Sequence, residues 1–223
     1  MSTAILTRSD QDIQDAVQDE LEWTPDVDAA GIGVAVADGA VTISGQVAEY
    51  SERLAAERAA LRVNGVTALV DDLVVHPKDA WPVSDVDVAQ EVERALKWAS
   101  NVPDTVKAKI VDHRVTLTGE VDWDFERRAA ARAVQYLRGV SAVENAITLS
   151  ARPSAADTEA EIRSALVRNA QLDADGIEVT ASGNRVVLTG HVRSWAEKEQ
   201  ADRSAWSSPH VADVDDRLVV RPA

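Results

Sequence analysis

VTISGQV spans Val41–Val47, and the phrase returns as VTLTGEV at Val115–Val121 and as VVLTGHV at Val186–Val192, at spacings of 74 and 71 residues. In each copy the apolar residues alternate with polar ones, the signature of a half-buried strand, so Val41 and Ile43, Val115 and Leu117, and Val186 and Leu188 are expected to face inward. Self-similarity at a period near seventy residues predicts three small modules within a chain of 223 residues.

Working outward from the phrase, a second alternating stretch precedes it in every copy: Ile32, Val34 and Val36; Val106, Ala108 and Ile110; Ile177, Val179 and Ala181. Short turn-compatible links join the two stretches, with Asp38-Gly39 the strongest hairpin signal among them, which predicts an antiparallel pair. Upstream lies an amphipathic helix, with Ile13, Val17 and Leu21 spaced by four, answered by Val88, Val92 and Leu96 and by Ile162 and Leu166. Ser9, Ser84 and Ser154 are its expected N-caps.

Downstream comes an alanine-rich helix opened by Glu52, Glu126 or Glu197, carrying Ala56/Ala60, Ala130/Val134 or Ala201/Ala205 on one face. Small residues there let the helix lie close on a sheet. Gly45, Gly119 and Gly190 interrupt the repeated strand, where a missing side chain suits a bulge or a close approach by that helix. Gly65-Val66 and Gly139-Val140 end the helix in the first two copies, while the third has Pro209-His210-Val211.

A closing strand is expected from Leu73, Ala146 and Arg217, parallel to the repeated one through a right-handed crossover. The expected fold class is α+β: three tandem α-β-β-α-β modules over residues 9–77, 84–152 and 154–222, each a three-stranded mixed sheet with both helices packed on one face. About six residues join the first two modules and only a few the second pair, so the array is expected to be semi-rigid.

This element order, with the repeated Val-x-Leu-x-Gly-x-Val phrase, the following Glu, the Ala-rich helix and the Gly-Val pair, resembles the BON domain of OsmY-type proteins. The resemblance implies a non-catalytic protein of osmotic or envelope stress that acts by protein contact, self-association or peripheral contact with anionic phospholipid. Some relatives bind potassium, so a cytoplasmic cation-responsive protein is the alternative that it implies.

Composition narrows the field. The chain has no cysteine, which excludes disulfides and thiolate-held metals. Its net charge of −15 disfavours binding to nucleic acid. That charge is uneven: residues 1–77 carry 14 acidic and 4 basic groups, whereas residues 84–152 carry 11 and 10. The opening residues 1–12 lack the apolar core of a secretory signal and no run is long enough to span a bilayer, so a cytoplasmic location is expected.

No histidine pairs with another at helical spacing, no phosphate loop or nucleophile elbow is present, and neither a catalytic centre nor a metal or cofactor is expected. Asp71-Asp72 and Asp215-Asp216 read as a soluble edge before the last strand. The binding candidates are Trp123, Phe125, Arg127, Arg128, Arg132 and Arg138, where aromatic bodies and arginine heads at a helix start suit an anionic lipid surface or a protein partner. A structural role competes with this: the aromatics fill joints between modules, and the arginines pair with Glu126 and the acidic first module. Trp81 and Pro82 fit such a joint.

Overall fold

The computed structural model describes residues 8–76, 83–150, 158–168 and 176–222; Trp81, Pro82 and Ser154 lie outside them. The first module runs α1 (Asp10–Trp23), β1 (Ile32–Ala37), β2 (Ala40–Val47), α2 (Tyr50–Arg62) and β3 (Ala68–Val75). The second runs α3 (Asp85–Trp98), β4 (Lys107–Val111), β5 (Arg114–Val121), α4 (Asp124–Val134) and β6 (Ala142–Leu149). The third has α5 (Thr158–Arg168), β7 (Ile177–Ser182), β8 (Arg185–Val192), α6 (Trp195–Trp206) and a closing strand in two pieces, β9 (Asp213–Asp216) and β10 (Val219–Val220).

In every module the repeated phrase is the central strand, antiparallel to the strand before it and parallel to the one after it. Its inward residues, Val41 and Ile43, Val115 and Leu117, Val186 and Leu188, are fully buried. Each such side chain contributes about 1.5–3 kcal/mol of burial free energy. They meet the helix stripe of Ile13, Val17 and Leu21, of Val88 and Val92, or of Ile162 and Leu166, and the alanine face of the second helix. Three separate cores result.

Local chemistry sets the ends of the elements. Ser9 and Ser84 cap α1 and α3, each in a reciprocal box with Asp12 or Asp87. Their hydrogen bonds hold both carboxyls below the usual carboxylate range. The first helical residue, Asp10 or Asp85, reaches across to take both backbone N–H groups of the hairpin turn, Asp38 and Gly39 at 2.9 and 3.0 Å, or Asp112 and His113 at 2.9 Å each. Both turn residues have positive φ in these two hairpins. The third copy has Ala155 at the corresponding position and so no carboxylate there.

The repeated glycines have a different cause from the one expected. A Cβ on Gly45 would stand 2.1 Å from the carbonyl oxygen of Gly31, and one on Gly119 would stand 2.4 Å from that of Thr105. The close neighbour is thus the backbone entering the first strand, not the second helix, and φ is +132° at both glycines. At Gly190 the neighbour is the carbonyl oxygen of Gly176. The Gly-Val turns are also tight: Gly65 lies under Ile13, and Gly139 under Val83 and Val88. Among the described residues the non-glycines at positive φ are Asp38, Asp112 and His113, so His210 closes the third turn in another conformation.

The closing strands begin earlier than expected, at Ala68, Ala142 and Asp213, which puts the acidic pairs inside the strand. Asp71 belongs there because its side chain turns back to accept from Leu73 N–H at 2.9 Å and from Arg53 Nε at 2.7 Å. Asn145 and Asp216 accept in the same way from Ile147 and Leu218.

The modules do not form a string. Tyr50, the first residue of α2, packs against the second core and bonds to the backbone of Val143. Arg127 of α4 lies over the ring of Trp206 in α6, 4.4 Å from its centroid. Trp195, the first residue of α6, packs against both the third and the first cores and donates from Nε1 to the carbonyl oxygen of Val66 at 3.2 Å. Each module thus uses the first turn of its second helix to grip the next, and the third grips the first: a head-to-tail ring.

Candidate functional site

The elbow between the repeated strand and the second helix carries Trp123, Phe125, Arg127 and Arg128 in the second module, on a frame that all three modules share. Glu52, Glu126 and Glu197 fix that frame. Glu52 accepts from Asp28 N–H and Ala48 N–H at 2.9 and 2.7 Å, Glu126 from Asp122 and Trp123 N–H at 3.0 Å each, and Glu197 from Arg193 N–H at 2.8 Å. Each carboxylate takes a backbone donor just ahead of its helix, and Glu52 also ties in Asp28 from the loop before β1. Glu126 is therefore not the partner of the nearby arginines.

Asp124 takes that role. It is buried, and both Arg127 and Arg128 close on its two carboxylate oxygens. Charge that reads as a basic face in the sequence is folded back into the ring joint, where Arg127 also covers Trp206 and Asp202 sits near Arg128. Asp202 accepts from Trp206 Nε1 at 3.1 Å; burial, then the nearby Asp216, pushes its carboxyl upward. The arginines thus face the third module and not the acidic first one.

The aromatic candidates behave differently. Trp123 and Phe125 stack with centroids 6.4 Å apart and an interplanar angle of 22°, and remain 38% and 50% exposed. Arg132 and Arg138 are exposed farther along the same segment. The structure therefore splits the six candidates: Arg127 and Arg128 serve the joint, while Trp123, Phe125, Arg132 and Arg138 reach the surface. The structural glycines Gly45, Gly119, Gly190, Gly65 and Gly139 lie at the tight approaches described above.

Two further residues join the surface set that the motif reading passes over. Trp23 and Trp98 are the last residues of α1 and α3 at equivalent repeat positions, and they are 84% and 82% exposed. Each lies two residues past the end of the apolar stripe, at Leu21 or Leu96, which at a helical period turns it to the opposite side. That offset was the available signal.

The acidic pairs supply no open ligand set. Asp71 is engaged by Arg53 and its own strand, Asp216 lies 3.6 Å from Lys198 Nζ, and Asp215 binds Arg185 and Arg217. Among the described residues no three His, Asp or Glu side chains are arranged to hold a metal ion. Among them, too, no helix is long and apolar enough to cross a membrane.

The BON domain profile matches residues 9–77, 84–151 and 154–222. Among solved structures the chain is similar to CdsD, a structural protein of the type III secretion system of Chlamydia trachomatis, with 13% identity, a TM-score of 0.27, and 95% of this chain and 93% of that chain covered. A structure of the CdsD C-terminal domain aligns at 12% identity and a TM-score of 0.27, covering 96% of this chain and 100% of that one. No curated protein matches.

Proposed function

The chain belongs to the BON domain family, in three consecutive copies, and from that premise we propose that it is a non-catalytic binding and assembly protein. It acts by protein contact or peripheral phospholipid contact, in stress response and envelope maintenance as other members of the family do. One observation carries the reading: Trp23 and Trp98 stand more than four-fifths exposed at the same place in two modules, with the Trp123–Phe125 stack as a third aromatic projection. Indole rings held in water forgo about 2–3 kcal/mol each of burial free energy that a docked surface recovers.

Because Arg127 and Arg128 are drawn onto the buried Asp124 carboxylate at the ring joint, contact is driven by aromatic insertion more than by charge. Co-sedimentation with vesicles of phosphatidylglycerol and phosphatidylethanolamine, and with neutral vesicles, at low and high salt tests this. Insertion predicts pelleting that survives high salt and is lost in Trp23→Ser/Trp98→Ser. If neither vesicle binds, sedimentation equilibrium of the same variants tests the protein-contact arm. Aromatic substitutions that change neither vesicle binding nor self-association would end the proposal.

A further inference from the structure

Among the described residues no strand pairs with the outer edge of β4, so every second residue along it turns its backbone N–H and C=O groups away from the ladder. Beside that edge runs a groove of about 390 Å³ between α3, the loop after it and β4. Its floor is apolar and only half-buried, formed by Leu96, Val102, Ala108 and Ile110, and its rim sets Glu93 and Asp104 among Lys97 and Lys107, which leaves Lys109 on the strand's other face as the added positive charge. The first module closes the corresponding place, since Leu21 is fully buried, with Val27 and Ala29 of the loop after α1 packed against the core.

The strand itself alternates. Ala108 and Ile110 turn to the core, while Lys107 and Lys109 stand exposed on the other face, Lys107 donating to the carbonyl oxygen of Asp104 at 2.8 Å. The equivalent positions are Gly33 and Ala35 on β1 and Glu178 and Thr180 on β7. Two lysines on one open edge oppose pairing with a second copy of the same strand and favour carboxylates set directly across from them.

We propose that the α3–β4 groove of the second module binds an extended peptide alternating apolar and acidic residues, which adds to the sheet as a fourth strand. Its acidic side chains pair with Lys107 and Lys109, and the intervening apolar ones lie over Ala108 and Ile110 toward Leu96. Backbone hydrogen bonds to β4 supply the docking and the side-chain alternation supplies the selectivity. Trp98 ends the same helix but is not among the groove's lining residues, so the peptide measurement stands or falls independently of vesicle binding.

Fluorescence anisotropy of short labelled peptides on the full chain tests it, using alternating Val and Glu, alternating Val and Lys, and a block-scrambled Val and Glu control. Saturable binding of the Val/Glu alternation is expected, with a preference of about tenfold over Val/Lys. Lys107→Glu/Lys109→Glu should reverse that preference. Ala108→Pro should abolish binding of both peptides while its melting curve shows a folded protein, because an edge strand tolerates proline. No saturable binding by any peptide, scrambled control binding as tightly, or an unchanged preference in the lysine reversal would each overturn the proposal; should Ala108→Pro not fold, the reversal alone decides.

Discussion

The indole Nε1 of Trp195 donates to the carbonyl oxygen of Val66, 3.2 Å away and 129 residues distant in the chain. This bond closes the ring, and Trp195 shares the packing of two cores. Trp195→Phe should lose the bond and cost about 1 kcal/mol. Trp195→Ala should cost about 3 kcal/mol in urea unfolding. Only the alanine variant should also enlarge the molecule in small-angle scattering; an unchanged radius would show that the other two joints hold the third module in place.

The joint between the second and third modules rests on charge. Removing the Asp124 carboxylate leaves Arg127 and Arg128 without their shared partner. Asp124→Asn should therefore destabilise the chain by about 1–3 kcal/mol, discounted because both arginines keep partial access to water. A double-mutant cycle of Arg127→Ala and Trp206→Ala should give a coupling of about 0.5–2 kcal/mol. Strict additivity would refute the contact between them.

A pH dependence is built into the first module. Burial, aided by its hydrogen bond with Asp71, pushes the Glu57 carboxyl up from 4.5 to about 8. Burial acts on Asp71 in the same direction, but hydrogen bonds from Glu57, Leu73 N–H and Arg53 outweigh it and hold that carboxyl low. Arg58 and Tyr50 also face the pair. With the folded value above the unfolded one, the protonated form stabilises the fold fully below pH 4.5, and that contribution is lost as pH rises through about 8. Melting temperature should fall by a few degrees over this window, and Glu57→Gln, which keeps a donor for Asp71, should flatten the slope. An identical slope in the variant would count against it.

Two glycine substitutions contrast a crowded, glycine-only backbone with an open left-handed turn. Gly45→Ala places a Cβ 2.1 Å from the Gly31 carbonyl at φ +132°, whereas Gly183→Ala at φ +64° meets nothing within 4 Å. The second should cost about 1–2 kcal/mol, the left-handed penalty alone. Gly45→Ala should exceed it clearly, to the point of unfolding the first module. Equal melting temperatures for the two variants would argue that the loop ahead of β1 gives way.

The sequence made the modules legible because local period and long-range burial agree: Val41 and Ile43 alternate as strand residues, Ile13, Val17 and Leu21 recur as a helix stripe, and both sets are buried. The closing strands were half-hidden, since Asp71, Asn145 and Asp216 break the apolar alternation by bonding to their own backbone. Arg127 and Arg128 misled for a related reason: a buried aspartate one turn earlier absorbs charge that spacing alone assigns to the surface. The joints were half-legible: the reading that aromatics at this elbow fill joints between modules holds for Tyr50 and Trp195, though not for the exposed Trp123–Phe125 stack, and the closure into a ring was not legible. Its contacts join Tyr50, Arg127 and Trp195 to residues far away in the chain, and no periodicity records them.

Head-to-tail closure also fixes a number. Open solenoids lengthen by duplication, because each end stays ready for another unit. Here the surface that would receive a fourth copy is already taken by Trp195, so gene duplication could extend this protein only by breaking the circle or by making a second one.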